Sequence, residues 1–517
     1  MKKNIVLFLI LIFFLITRLY NIAGDPPSVY WDEASIGYNA YSVSINGKDE
    51  WGKFLPLHFR AFGEFKLPVY IYSTVPFVNI FGLNEVSVRL PAVLFSLISV
   101  VLIYLIGKRI FDKKVGLLAV FFLTISPWFF ILSRVGYEAT AGLAFFCLGI
   151  YLFLIANNRS PFLFSCLFSF ILSMYSYNSF RIVTPLTLIF LGVAFLSDKK
   201  IAYQKKVISI SLAVFILILS FIPIFRLVTS QGGNLRFQAV SIFGSGDNQI
   251  ETLVNFIKNY FSHFSIQFLF TKGDLNHRSQ QPMFGQLYTL DLLMLAFSLF
   301  YFLKKFKKIY LLPLFIIFVS LIPASLTKEA PHALRSIAVV PFISLLFALG
   351  LNQILKKTNW QKIFVSFFIT FYLLMFLQYF YSFIKYYPGK TSQDWQFAYK
   401  QVFKNYSDQF GNFDKVIISD KYAQPYIFAL FYLNYNPGNF LKSVEYNSMD
   451  KWGFSTVKKF GKFEFSNDEN MLIPEGKTLV FLTKNKFLVN NRYNIKLIGR
   501  INFLDNTNAF NIYEINN

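Results

Sequence analysis

Charge is scarce in this sequence. Only 15% of its 517 residues are charged, while 55% are hydrophobic and 20% aromatic. Soluble domains carry about 25% charge, so this balance argues against one and for a polytopic membrane protein. Acids are scarcer still, 27 Asp and Glu against 50 Lys and Arg, which leaves a formal charge of +23. The bases fall in small clusters between apolar runs, the pattern of loops that orient a membrane protein rather than of a nucleic-acid surface. Cysteine is nearly absent: Cys147 and Cys166 both lie inside apolar runs, so neither a disulfide framework nor a Cys-based metal site is supported. No glycine-rich phosphate loop is evident, since "GLNEVSVRL" lacks the glycine spacing. No small-residue cleavage pattern ends the first apolar run, which therefore reads as an uncleaved span. No internal repeat of the inverted-transporter kind is visible.

What the sequence has in abundance is long apolar runs. Spans are expected near 4–20, 87–107, 115–133, 138–156, 161–177, 181–197, 206–228, 287–303, 308–325, 333–354 and 362–384. The count is eleven to thirteen, because 68–82 is also apolar. With a cytoplasmic N-terminus, the inside loops hold Lys108, Arg109, Lys113 and Lys114, then Lys199, Lys200, Lys205 and Lys206. They go on to hold Lys304, Lys305, Lys307 and Lys308, then Lys356, Lys357 and Lys362, as the positive-inside rule requires. Residues 1–385 then form a transmembrane domain with external loops at 21–86 and 229–286, and 386–517 follow outside. That last segment has strand-like runs at 415–420, 478–483 and 509–515 and a helix-like run at 423–434, which predicts a small α/β domain.

On this topology Asp32, Glu33, Glu64, Lys66, Arg134, Glu138, Arg181, His332 and Arg335 all lie on the external side. Each has a plain structural reading. Asp32 suits a helix N-cap, with Ile36, Ala40 and Val43 on one face of an interfacial amphipathic helix. Glu64 and Lys66 suit a surface ion pair worth about 0–1 kcal/mol. Arg134 and Glu138 have the spacing of an i,i+4 pair, and Arg181 and Arg335 suit snorkelling arginines. Taken together they gather carboxylates and cations at one level of the membrane. A carboxylate can serve as a general base and Arg or Lys can hold a phosphate, which suits transfer from a lipid-phosphate donor.

The order of motifs carries a resemblance. "YWDEASIGYNAYS" follows the first span, and "FKLPVYIYSTVPFVNIFGLNEVSVRLPAVL" occupies 65–94. "LSRVGYEATAGLAFFCLGIYLFL" follows at 132–154, "FLFTKGDLNHRS" at 268–279 and "PHALRSIAVVPFISLLFALGL" at 331–351. Over most of 1–385 the chain resembles the integral-membrane GT-C glycosyltransferases, in particular bacterial relatives of protein O-mannosyltransferases and of the lipid A aminoarabinose transferase. The resemblance implies a polyprenyl-phosphate sugar donor, inverting transfer to a lipid, polysaccharide or protein acceptor, and a site on the outer face of the bacterial cytoplasmic membrane. It implies Asp32 as catalytic carboxylate with Glu33 as its acidic neighbour. It further implies Lys66 and Arg335 as donor-phosphate contacts and Glu138 as the acid after the third span. The remaining candidates for substrate binding are Arg134, Arg181, His332 and Glu64. Phe65 separates Glu64 from Lys66, a departure from relatives that carry an acid beside the Lys-Pro motif. No cofactor is certain; a divalent cation is left open, as are a polysaccharide polymerase or ligase and a lipid-linked sugar transporter. Membrane lipids are expected partners and nucleic acid is not.

Overall fold

The structure, a computed structural model, describes residues 2–156, 160–243, 248–356, 361–448, 455–468, 476–483 and 494–516. Of the expected loop clusters, Lys357 lies outside the described residues. The chain divides into two compact units, one of 1–20 with 92–382 and one of 21–91 with 383–517. Residues 21–86, expected as an external loop of the transmembrane part, thus group with the C-terminal segment, as do 87–91 of the expected 87–107 span.

The first unit is helical, and every expected span overlaps helix, although in the expected 287–303 and 333–354 spans helix begins only at Asp291 and Val339. Among the described residues six helical segments are long and apolar enough to cross a bilayer: Glu85–Ile110, Glu138–Ile155, Phe180–Ser197, Tyr203–Val228, Lys308–Ser325 and Ile363–Lys385. Shorter apolar helices cover Asn4–Leu19, Leu163–Met174 and Val339–Leu355. The chain is a multi-pass membrane protein. Helices rather than strands fill these runs because a bilayer offers backbone N–H and C=O groups no partner outside the segment itself. The expected 115–133 span is interrupted, with helices at Lys113–Ile125 and Pro127–Leu132. Pro127 lacks the N–H that a continuous helix needs. Ser126 restarts the turn by accepting from the Phe129 N–H. Within the Tyr203–Val228 window only 6% is buried by protein, so its Ile208, Phe215 and Phe225 present the apolar face that lipid requires.

The second unit is built on a seven-stranded mixed sheet. Its strands are β3 (Lys415–Ser419), β4 (Glu445–Tyr446), β5 (Val457–Phe460), β6 (Phe463–Ser466), β7 (Thr478–Leu482), β8 (Asn494–Asn502) and β9 (Asn508–Asn516). Numbering allows for a separate hairpin of β1 (Phe59–Arg60) and β2 (Phe65–Lys66). The sheet order is β4-β5-β6-β3-β7-β9-β8, with β6, β3 and β7 parallel and the flanks antiparallel. Every residue of β7 is buried, the continuous apolar run expected of a strand covered on both faces. The expected runs at 415–420, 478–483 and 509–515 fall on β3, β7 and β9, and the helix-like run at 423–434 on the Pro425–Tyr432 helix.

That helix packs against the Trp31–Asn46 helix, which carries the adjacent acids. Gly37 permits the approach, since a Cβ there would lie 2.6 Å from the Phe431 ring and 2.7 Å from Val88. Gly47 ends the Trp31–Asn46 helix in the left-handed region at φ 71° and returns its N–H to the Val43 carbonyl.

Candidate active site

The Trp31–Asn46 helix starts after Pro26 and Pro27, which cannot supply helical N–H donors. Its N-cap is Tyr30, whose side chain makes no capping bond. Asp32 and Glu33 therefore sit inside the first turn, where carboxylates favour the positive end of the helix dipole. The expectation that Asp32 caps the helix is corrected, because helical backbone begins one residue earlier. So is the interfacial amphipathic helix: Glu33 through Ala40 and Ser42 are buried on all sides by protein.

The two adjacent acids have opposite environments. Asp32 keeps 23% of its side chain exposed and accepts from Lys66 Nζ at 2.6 Å. Lys66 is itself nearly buried, with 3% of its side chain exposed, and also donates to Glu64 Oε1 at 3.1 Å. Glu64 retains 29% exposure. One ammonium thus lies between two half-open carboxylates, and this is no surface pair of negligible worth. The chain bends at Glu64 just before the Phe65–Lys66 strand, and the Glu64 and Lys66 side chains meet despite the interposed Phe65. The hairpin pairs Phe59 with Lys66 and Arg60 with Phe65, and Pro68 opens the next helix at once, which fixes Lys66 at a rigid junction.

Glu33 faces the other way. Its carboxylate is fully buried and takes Arg89 Nε at 2.9 Å and Nη2 at 3.1 Å. Arg89 also donates to the carbonyls of Ile22, Pro26 and Ser28, tying the segment before the helix to the helix itself. Sequence reasoning did not single out Arg89, although an arginine within an apolar run is itself a signal of a partner.

A second acidic group, equally unforeseen, lies in the 47–58 loop. Glu50 is buried, its N–H donates to Asn39 Oδ1 at 3.0 Å, and Tyr426 Oη lies 3.4 Å from its Oε1. Burial, aided by nearby Asp49, pushes its carboxyl from an ordinary 4.5 up to about 8, against the pull of Lys66. The folded state therefore holds this proton more tightly than the unfolded chain does. The contribution of Glu50 to stability is greatest below about 4.5 and falls as pH rises toward 8. Glu50→Gln is expected to flatten that fall, which melting curves of the detergent-solubilised chain across this pH range would register.

The other candidates belong to the first unit. Arg134 is buried and donates to the carbonyls of Thr17 and Tyr20, satisfying the end of the Lys2–Leu19 helix. Arg134 and Glu138 do not share a helix, as one ends at Leu132 and the next starts at Glu138, so the expected i,i+4 relation does not apply. Glu138 is close enough to Arg181 for an electrostatic interaction. Arg335 donates to Thr327 Oγ1 at 2.8 Å and to Glu329 at 3.0 Å. His332 Nδ1 lies 3.2 Å from Asp274, a residue of the quoted "FLFTKGDLNHRS" run. Burial works to raise the Asp274 carboxyl, but His332 and the N–H groups of Asn276 and Ala333 outweigh it and hold it low. The N–H of His332 donates to His263 Nε2 at 3.3 Å, and burial takes the His263 imidazole down to about 4, so it is neutral and able to accept. Among the described residues no group of three or more His, Cys, Asp or Glu could hold a metal ion.

A family model described as dolichyl-phosphate-mannose-protein mannosyltransferase matches residues 66–224, beginning at the lysine of the hairpin. No curated protein matches the sequence. Among solved structures the chain is similar to ArnT from Cupriavidus metallidurans bound to undecaprenyl phosphate. The TM-score is 0.60 at 10% identity, over 99% of this chain and 98% of that one. ArnT in the apo state gives 0.56 at 10% identity over 98% and 97%. The Archaeoglobus fulgidus oligosaccharyltransferase in complex with Zn and sulfate gives 0.50 at 14% identity, over 83% of this chain and 61% of that one.

Proposed function

We propose that the chain, whose fold is similar to that of ArnT, is a GT-C membrane glycosyltransferase that moves a sugar from a polyprenyl-phosphate donor to an acceptor hydroxyl. The Asp32–Lys66–Glu64 arrangement on that fold carries the reading. Undecaprenyl phosphate is bound in the ArnT structure, and the matching family model is named for a dolichyl-phosphate-linked sugar. The site lies on the outer face of a bacterial cytoplasmic membrane, as the Lys/Arg clusters on the opposite side support.

In the proposed reaction Asp32 takes the proton of the acceptor hydroxyl as its oxygen attacks the anomeric carbon. The bond from that carbon to the phosphate oxygen breaks, the anomeric configuration inverts, and polyprenyl phosphate leaves with the bonding pair. The leaving phosphate is a weak base, so no separate general acid is required. Lys66 supplies positive charge where negative charge grows, and Glu64 holds its Nζ in place. Assignment of Arg335 to the same phosphate rests on the resemblance, as do substrate roles for Glu138, Arg181, Arg134 and His332. Glu33 acts on Asp32 from behind, as the anchor of its helix.

Replacing Lys66 tests the phosphate contact. Lys66→Met is expected to lower kcat/KM for donor consumption by about 100-fold, the range seen when a charge-stabilising donor is lost, while Lys66→Arg keeps activity within about tenfold. Consumption of labelled donor by membranes bearing each variant reads this out. Equal activity of Lys66→Met and wild type would remove Lys66 from the site.

A further inference from the structure

The first N–H groups of a helix need partners from outside it, and the Trp31–Asn46 helix has no side-chain cap of its own. Gln396 meets that need at Trp31, from 365 residues away: its Oε1 accepts the Trp31 N–H at 2.9 Å. The same carboxamide turns its Nε2 the other way, donating to the carbonyls of Tyr422 and Ala423, the latter at 2.9 Å. Gln396 is 97% buried, and so is held at both ends. Its backbone sits in the left-handed region at φ 53°, unusual for a residue with a Cβ. Ala423 and Gln424, in the turn it grips, are left-handed too, at φ 63° and 55°. Next to it, the ring of Trp395 meets Tyr30 edge-on at 5.6 Å and donates from Nε1 to Tyr387 Oη at 2.9 Å. The gripped turn follows β3, at the carboxyl end of the parallel trio β6-β3-β7.

We propose that Gln396 is a positioning residue for Asp32: it caps the catalytic helix in trans and sets its first turn against the 420–424 turn of the C-terminal sheet. Only a side chain with an acceptor at one edge and two donors at the other does both tasks. A carboxylate accepts from Trp31 but has no proton for Tyr422 and Ala423, while a carboxylic acid recovers one of those donors. This role rests on the transferase reading, since it matters only if Asp32 is the base.

Gln396→Glu and Gln396→Leu in the full-length chain test it with two readouts. The first needs no turnover. Hydrogen exchange over residues 30–33 should accelerate at least tenfold in Gln396→Leu, with the sheet strands unchanged. The second is kcat for donor consumption against pH. Gln396→Glu should show an ionisation that wild type lacks, near wild-type kcat at pH about 5 and at least tenfold lower at pH about 8, with KM for donor unmoved. Charged neighbours on the elements involved, Asp32 and Glu33 on the helix, Asp420 and Lys421 on the turn, and Asp394 and Lys400 beside Gln396, are common to all three chains. Their titration therefore cancels when Gln396→Leu, which has no titrating group at this position, serves as the baseline. Unchanged exchange at 30–33, or a Gln396→Glu profile parallel to wild type, overturns the proposal. A wild-type chain that consumes no donor defeats the transferase reading instead, and the exchange result tells the two failures apart.

Discussion

Asp32→Asn is expected to reduce donor turnover by about 10²–10⁴-fold, the contribution of a positioned general base, with KM for donor little changed. Asparagine keeps the size of aspartate and can still accept from Lys66 Nζ, which lies at 2.6 Å in the wild type. It cannot take a proton from the acceptor hydroxyl. Since the Asp32 side chain is 23% exposed and Glu64 still pairs with Lys66, the exchange should leave the fold intact. A large loss of rate without a loss of stability is the signature of a residue that meets substrate. Equal rates would reduce Asp32 to an accessory of the helix terminus.

Glu33, the next residue, should behave in the reverse way. Glu33→Leu leaves the fully buried Arg89 without its anion, and an uncompensated buried charge costs about 3–5 kcal/mol. The variant should melt far below wild type or fail to accumulate in the membrane. Glu33→Gln retains one acceptor for Arg89 and should lose less. Arg89→Leu should be worse than Glu33→Gln, because it also strips the carbonyls of Ile22, Pro26 and Ser28 of their donor. Melting of the solubilised variants ranks them, and a Glu33→Leu chain as stable as wild type would contradict the buried-pair account.

These adjacent acids show what could be read from the sequence. Apolar runs announce themselves by composition, so each of the eleven expected spans overlaps helix, although Ser126-Pro127 and Ser320-Leu321 break two of them and 333–338 are turn. The order of motifs singled out Asp32 and Lys66, and the structure brings their side chains together at 2.6 Å. The split between Asp32 and Glu33 was not, because it depends on which way each points once the helix starts at Trp31. Arg89 could have been found from the cost of an arginine in an apolar run. Glu50 carries no local signal, since its proton affinity is set by burial contributed by distant chain. The same holds for Gln396, whose partners lie 365 residues upstream and 26 and 27 residues downstream. Glu64 was discounted because Phe65 stands between it and Lys66, yet the two side chains are in contact where the chain bends at Glu64.

The most direct test supplies the wild-type chain, reconstituted in liposomes, with a panel of radiolabelled polyprenyl-phosphate sugars and a cell-envelope acceptor fraction, and follows lipid and sugar together. The account predicts that one donor is consumed, that one polyprenyl phosphate is released for each sugar transferred, and that the product has the inverted anomeric configuration. Consumption of a nucleotide sugar in place of every lipid-linked donor, or a product with retained configuration, would contradict it.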